Sequence, residues 1–113
     1  MNINEMEDYI TKNVTYYLRD EKNQPKTAVS ILVDSLGHRS RGVSICSPKD
    51  QFVKQDGREL AELRAFKALS KKDSFGEIRR PGLLIDPKFY YKCEFMPHLT
   101  EFEEKLLEDP KSV

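Results

Sequence analysis

Hydrophobic positions alternate with polar ones over most of the first half of the chain. The run Asn13-Val14-Thr15-Tyr16-Tyr17-Leu18-Arg19, rich in β-branched and aromatic residues, predicts a first strand that ends in the polar stretch Asp20 to Gln24 and Pro25. Thr27 to Val33 predicts a second and stronger strand, and Asp34-Ser35-Leu36-Gly37-His38 turns the chain into a third, Ser40 to Cys46. Three strands joined by short loops make an antiparallel meander. In the third, Arg41, Val43, Ile45 and Ser47 share one face, while Gly42, Ser44 and Cys46 share the other, because strand side chains alternate. The face of small residues is read as the seat of a helix, with room for a ligand as the competing reading.

The period then changes. Ser47-Pro48-Lys49-Asp50 has the composition of a helix start, and Asp56 with Glu59 offers a second one at capping-box spacing. We read a short turn over 48–54 and a main helix from Gly57 to Lys71. Leu60, Ala61, Leu63, Ala65, Ala68 and Leu69 form its apolar stripe, with Phe52 and Phe66 in the same core. Lys71, Lys72 and then Gly76 suit its C-terminus. Residues 77–87 read as an extended connection with Pro81 and Pro87, and Lys88 to Phe95 as a fourth strand. Thr100-Glu101-Phe102-Glu103 is a capping box that opens a short acidic helix, whose apolar positions are Leu99, Phe102, Leu106 and Leu107. The expected fold class is α+β: an antiparallel sheet of about four strands, one main amphipathic helix packed on it, and a short C-terminal helix.

Length bounds this to one domain over residues 1–113, with 1–12 and 109–113 loosely ordered. Nineteen basic side chains balance nineteen acidic ones, so no net field draws the protein to DNA or to anionic lipid. The N-terminus has no apolar run behind a positive charge, and no stretch is long enough to span a bilayer; a cytoplasmic protein is expected. Cys46 and Cys93 form no CxxC pair and are expected to be reduced thiols packed in strands.

Catalytic chemistry has little to stand on. His38 lies in a turn and His98 beside a helix start, neither next to a Ser or Cys in a nucleophile motif. No three- or four-ligand metal spacing, P-loop or GxGxxG pattern occurs. The expectation is therefore a protein that is not an enzyme and needs neither metal nor cofactor. The densest segment is Gly42 to Leu69. One reading is structural: Pro48 and Asp50 shape a turn, and Arg58 and Arg64 reach from the helix to solvent. The other is functional: helix N-terminal amides and the arginines converge on a phosphate or carboxylate.

The pattern Cys46-x-Pro48-x-Asp50-x-Phe52 followed by Gly57-x-x-x-Ala61-x-x-Arg64-Ala65 resembles a strand-turn-helix signature of small bacteriophage proteins. Among these it is similar to the anti-Thoeris sponge proteins, which sequester cyclic ADP-ribose-type immune signals without catalysis. The resemblance covers about a quarter of the chain. It implies a phage-encoded anti-defence protein in the host cytoplasm, a homo-oligomer whose pockets enclose a nucleotide-derived anion. The residues it singles out are Arg41, Lys49, Arg58, Arg64, Arg79 and Arg80 as cations, with Arg39 near Arg41, and Phe52 and Tyr90 as stacking rings. A second function stands beside it: a phage inhibitor that binds a host protein directly, through the Phe89 to Phe95 strand or the acidic C-terminal helix. The direction of the arginines separates the two, since clustering favours a ligand and dispersion favours a protein partner.

Overall fold

The computed structural model describes residues 9–19, 24–45, 53–75 and 93–108. Strands β1 (Ile10–Arg19), β2 (Pro25–Asp34), β3 (Arg39–Ile45) and β4 (Glu94–Phe95) form one antiparallel sheet in the order β1-β2-β3-β4. Helix α1 (Lys54–Lys71) packs on one face and helix α2 (Glu101–Glu108) on the other. This is the α+β fold expected, with β1 starting three residues earlier than the alternation suggested. Of the fourth strand only its last residues are described, together with a bridge between Cys93 and Phe75; Lys88 to Lys92 lie outside the described residues. No helix among the described residues is long and apolar enough to cross a membrane.

The hairpin between β2 and β3 is made by Asp34. Its Oδ1 accepts the amides of Leu36 at 3.0 Å and His38 at 2.7 Å, its Oδ2 lies 3.1 Å from His38 Nδ1, and Gly37 takes φ +83°. A side chain that hydrogen-bonds its own following backbone sets the turn, and glycine supplies the left-handed step. His38 is thereby accounted for as a turn residue.

Register divides the sheet's residues cleanly. Asn13 faces Leu32 and Thr15 faces Ser30 across β1 and β2, and Ser30 faces Gly42 across β2 and β3. This row lies on the α1 side of the sheet. Val14, Tyr16, Val29, Ile31, Val43 and Ile45 lie on the opposite face and pack with Leu107 of α2, supported by Leu18, Val33, Leu99 and Leu106. A register shift between Ile10 and Lys12 returns Ile10 to the α1 side, where it joins Leu32, Ala65, Leu69, Phe66 and Phe95. The small face of β3 is therefore the seat of the helix. A Cβ on Gly42 would lie 2.0 Å from the Ala61 carbonyl oxygen and 2.3 Å from the Ala65 nitrogen, so glycine and the alanine row allow backbone to approach backbone.

Two local expectations are corrected. The helix begins at Lys54 behind Val53, which makes no side-chain cap, so Asp56 sits inside the first turn and places its charge near the free amides. It ends at Lys71, with that cation in its last turn as expected and Lys72 in the left-handed conformation (φ 54°), its amide on the Ala68 carbonyl; Gly76 lies outside the described residues. Leu60 and Leu63 are exposed, the core stripe being Gly57, Ala61, Ala65, Ala68 and Leu69. The reason is that a row of small residues lies flat on β3, which turns the two leucines towards the flank of the helix. The C-terminal capping box is formed as expected: Thr100 Oγ1 accepts the Glu103 amide at 3.1 Å, and Glu103 Oε1 accepts the Thr100 amide at 2.9 Å. Within α2, Leu107 is the buried leucine, whereas Phe102 is exposed with its ring edge-on to Tyr16.

Candidate functional site

Helix α1 lies chiefly over β2 and β3. β1 meets it at its margin, where Ile10 joins the cluster around Leu32, Ala65 and Leu69, and the step between helix and strand is a groove of about 470 Å³. Ile10, Asn13 and Leu32 form its floor, and Glu59, Glu62, Leu63 and Phe66 form its helical wall. The wall follows from helix geometry, because residues 59, 62, 63 and 66 recur at three- and four-residue spacing along one flank. The volume falls within the range of sites that hold small molecules or side chains. Leu63 is 51% exposed, so apolar surface is open to solvent there.

Among the described residues, the charged side chains that line the groove are both carboxylates. Glu62 lies 3.8 Å from Arg58 Nε, a loose surface pair, and Glu59 accepts Gln55 Nε2 at 3.1 Å. Near the N-terminal end of α1, Lys54 Nζ stands 5.2 Å above the Tyr17 ring.

The arginines singled out from the sequence go to different places. Arg41 is 1% exposed and lies on the α2 face. Its Nε donates to Glu103 Oε2 at 2.9 Å, its Nη2 to Glu103 Oε1 and to the His98 carbonyl (3.1 Å for the latter), and its Nη1 lies 3.6 Å from Glu94. Glu103, itself fully buried, also accepts the Tyr16 hydroxyl at 2.9 Å. Burial pushes the Glu103 carboxyl up, but the Arg41 hydrogen bonds, the Thr100 amide, the Arg41 charge and the Tyr16 hydroxyl outweigh it and hold the group below its ordinary range. Burial likewise works against the Arg41 charge, and Glu103 more than offsets it. This cluster fastens α2 and its preceding turn to the sheet. Arg39 reaches Glu104 at 2.8 Å in a half-exposed pair beside it.

Arg58 is half exposed on α1 beside Glu62, and Arg64 Nη1 donates to the Val43 carbonyl at 2.7 Å, towards β3. Arg41, Arg58 and Arg64 thus belong to three separate environments. Lys49, Phe52, Arg79, Arg80 and Tyr90 lie outside the described residues.

Cys93 is a buried free thiol that burial pushes up, so it is protonated and shielded at neutral pH. Among the described residues no three His, Cys, Asp or Glu side chains come together as a metal site. The sequence pattern does not mark the groove, because it places Leu63 on the core stripe and Glu59 in a capping box. The signal that could have found them is the Glu59-Glu62-Leu63-Phe66 stripe, which runs beside the alanine row and needs a second surface to cover it. No protein-family model, curated protein or solved structure matches this chain.

Proposed function

We propose that this chain is a phage-encoded protein that acts without catalysis by binding a host protein directly, using the groove between α1 and β1 as part of its contact surface. The observation that carries the reading is the groove itself: an open apolar floor and wall whose charged lining, Glu59 and Glu62, repels a phosphate. The separate destinations of Arg41, Arg58 and Arg64 point the same way, since an anion site needs cations that converge. The phage setting rests on the resemblance of the Cys46 to Ala65 pattern.

The test places a photo-crosslinking amino acid at Leu63, in the groove, or at Leu36, at the exposed tip of the β2–β3 hairpin, in bacterial lysate. A discrete crosslinked host protein from position 63 alone is the expected result. Equal crosslinking from both positions, or none from position 63, sinks the contact reading. A thermal shift with cyclic ADP-ribose isomers, recovered intact, would replace it with signal sequestration; saturation at a hundredfold over Kd adds about 2.7 kcal/mol of stability.

A further inference from the structure

We infer that residues 97–108, the turn before α2 and α2 itself, form a strap that releases from the sheet as one unit while α1 and the sheet stay folded, and that acid releases it. The inference concerns the face opposite the groove and stands whether or not the groove meets a partner.

The two helices are fastened differently. α1 has eighteen residues and lies on the sheet through Gly57, Ala61, Ala65, Ala68 and Leu69, with backbone close to backbone at Gly42. α2 has eight residues and buries one leucine, Leu107, in the core, with Leu99 and Leu106 partly buried beside it. The rest of its hold is polar. Arg41 of β3 grips Glu103 with two nitrogens and takes the His98 carbonyl at 3.1 Å. Tyr16 of β1 donates to Glu103 at 2.9 Å, and Lys12 of β1 reaches the Leu107 carbonyl. A helix of two turns unravels once it leaves such a seat, so detachment and unfolding of α2 are one event.

The polar fasteners share their members, and that makes release collective. Glu103 serves Arg41, Tyr16 and the Thr100 amide at once, while Arg41 serves both Glu103 and the His98 carbonyl. Losing one contact leaves the others around a buried charge that is only part satisfied, so they let go together. A hinge lies where the strap begins. The Met96 amide bonds the Arg39 carbonyl at 2.7 Å, and Met96 takes φ 51°, a left-handed step that is costly for a residue with a side chain. Pro97 follows with no amide to donate. Release lets Met96 leave that conformation, which favours the open form.

Acid acts through Glu103. Around it stand Arg41 on β3, Tyr16 on β1 and the Thr100 amide; Glu94 of β4 lies 3.6 Å from Arg41, and Arg39 pairs with Glu104 on the neighbouring surface. Burial pushes the fastened carboxyl up, but Arg41, Thr100 and Tyr16 outweigh it and hold the group below its ordinary range. Once released, it titrates near its ordinary value of about 4.3. The released form therefore takes the proton first as pH falls. Release gains up to about tenfold for each pH unit between that value and the lower fastened one.

Hydrogen exchange of the full chain, followed by NMR from pH 7 to pH 3 in low urea, tests both parts. The α2 amides should share one opening free energy, smaller than that of β2 and β3, and it should fall through the acid window. Glu103→Gln should raise α2 opening about tenfold at pH 7, through loss of a charge-assisted hydrogen bond, and flatten the pH response. Glu104→Gln removes the neighbouring carboxylate on the same helix and should leave that response in place.

Exchange of α2 only together with β2 and β3 overturns independent release. Exchange that works inward from Glu108 residue by residue shows end fraying and overturns the unit. A flat acid response in the native chain, or one that persists in Glu103→Gln, overturns the role of Glu103. If Glu103→Gln does not fold, the native pH series and Glu104→Gln decide: an acid response lost with Glu104 overturns the assignment, and one that survives supports it.

Discussion

At the scale of single residues, the closest tolerances lie where β3 meets α1. Gly42 is buried under the helix, and any Cβ there would overlap backbone atoms of Ala61 and Ala65, which cannot swing aside as a side-chain tip could. Gly42→Ala should therefore push α1 off the sheet and lower stability by about 3 kcal/mol, the upper end of overpacking effects, as read by urea denaturation. Glu103 sets a second residue-scale property. Its native carboxyl titrates below its unfolded value, so the unfolded chain binds the extra proton first as pH falls. The stability it contributes is complete above the unfolded pKa, near 4.3, and disappears as pH drops through the lower native value. Denaturation curves from pH 7 to pH 3 should show that slope in the native chain, and a shallower one in Glu103→Gln.

At the scale of elements, α2 is only eight residues long and too short to hold itself together in water. It persists because Leu107 enters the core and because Glu103 does two jobs, completing the capping box with Thr100 and pairing with Arg41. Breaking one side of such a buried pair leaves an uncompensated charge, so Arg41→Met or Glu103→Leu alone should cost about 3–5 kcal/mol. The combined Arg41→Met and Glu103→Leu chain should recover most of that loss, because an apolar pair of similar volume is often as stable as a buried ion pair. A double-mutant cycle by chemical denaturation measures the recovery. A combined loss equal to the two single losses would show that the pair is not coupled.

At the scale of the molecule, the sheet separates two different packing problems. On the α2 side, branched and aromatic residues of β1, β2 and β3 build a broad apolar core, closed at one corner by an internal ion pair. On the α1 side, small residues bring helix and sheet into close contact over β2 and β3, and β1 lies at the margin of the helix. The close fit and the groove share one origin. A helix seated tightly on a glycine and serine row meets the outer strand at its margin, and the flank it turns to solvent is the surface proposed to contact a partner.

The order of the strands, their antiparallel pairing, the seat of the main helix and the C-terminal capping box could be read from the sequence, because each depends on neighbours within a turn, a hairpin or one strand period. Arg41 shows where that reading stops. The sequence offers it as a cation for a ligand, because nothing near it in the chain identifies a buried partner. The tertiary structure chose Glu103, sixty-two positions away in sequence. Leu60 and Leu63 show the same limit, since helical periodicity marks which residues share a flank but not how far across the sheet the helix will lie. That placement comes from long-range packing of Gly42 against Ala61 and Ala65, and it turned two expected core leucines outward and opened a groove beside β1. Sequence alone determined the elements, whose causes are local; the tertiary structure decided the charge partners and the exposed faces, because both depend on contacts between residues far apart in the chain.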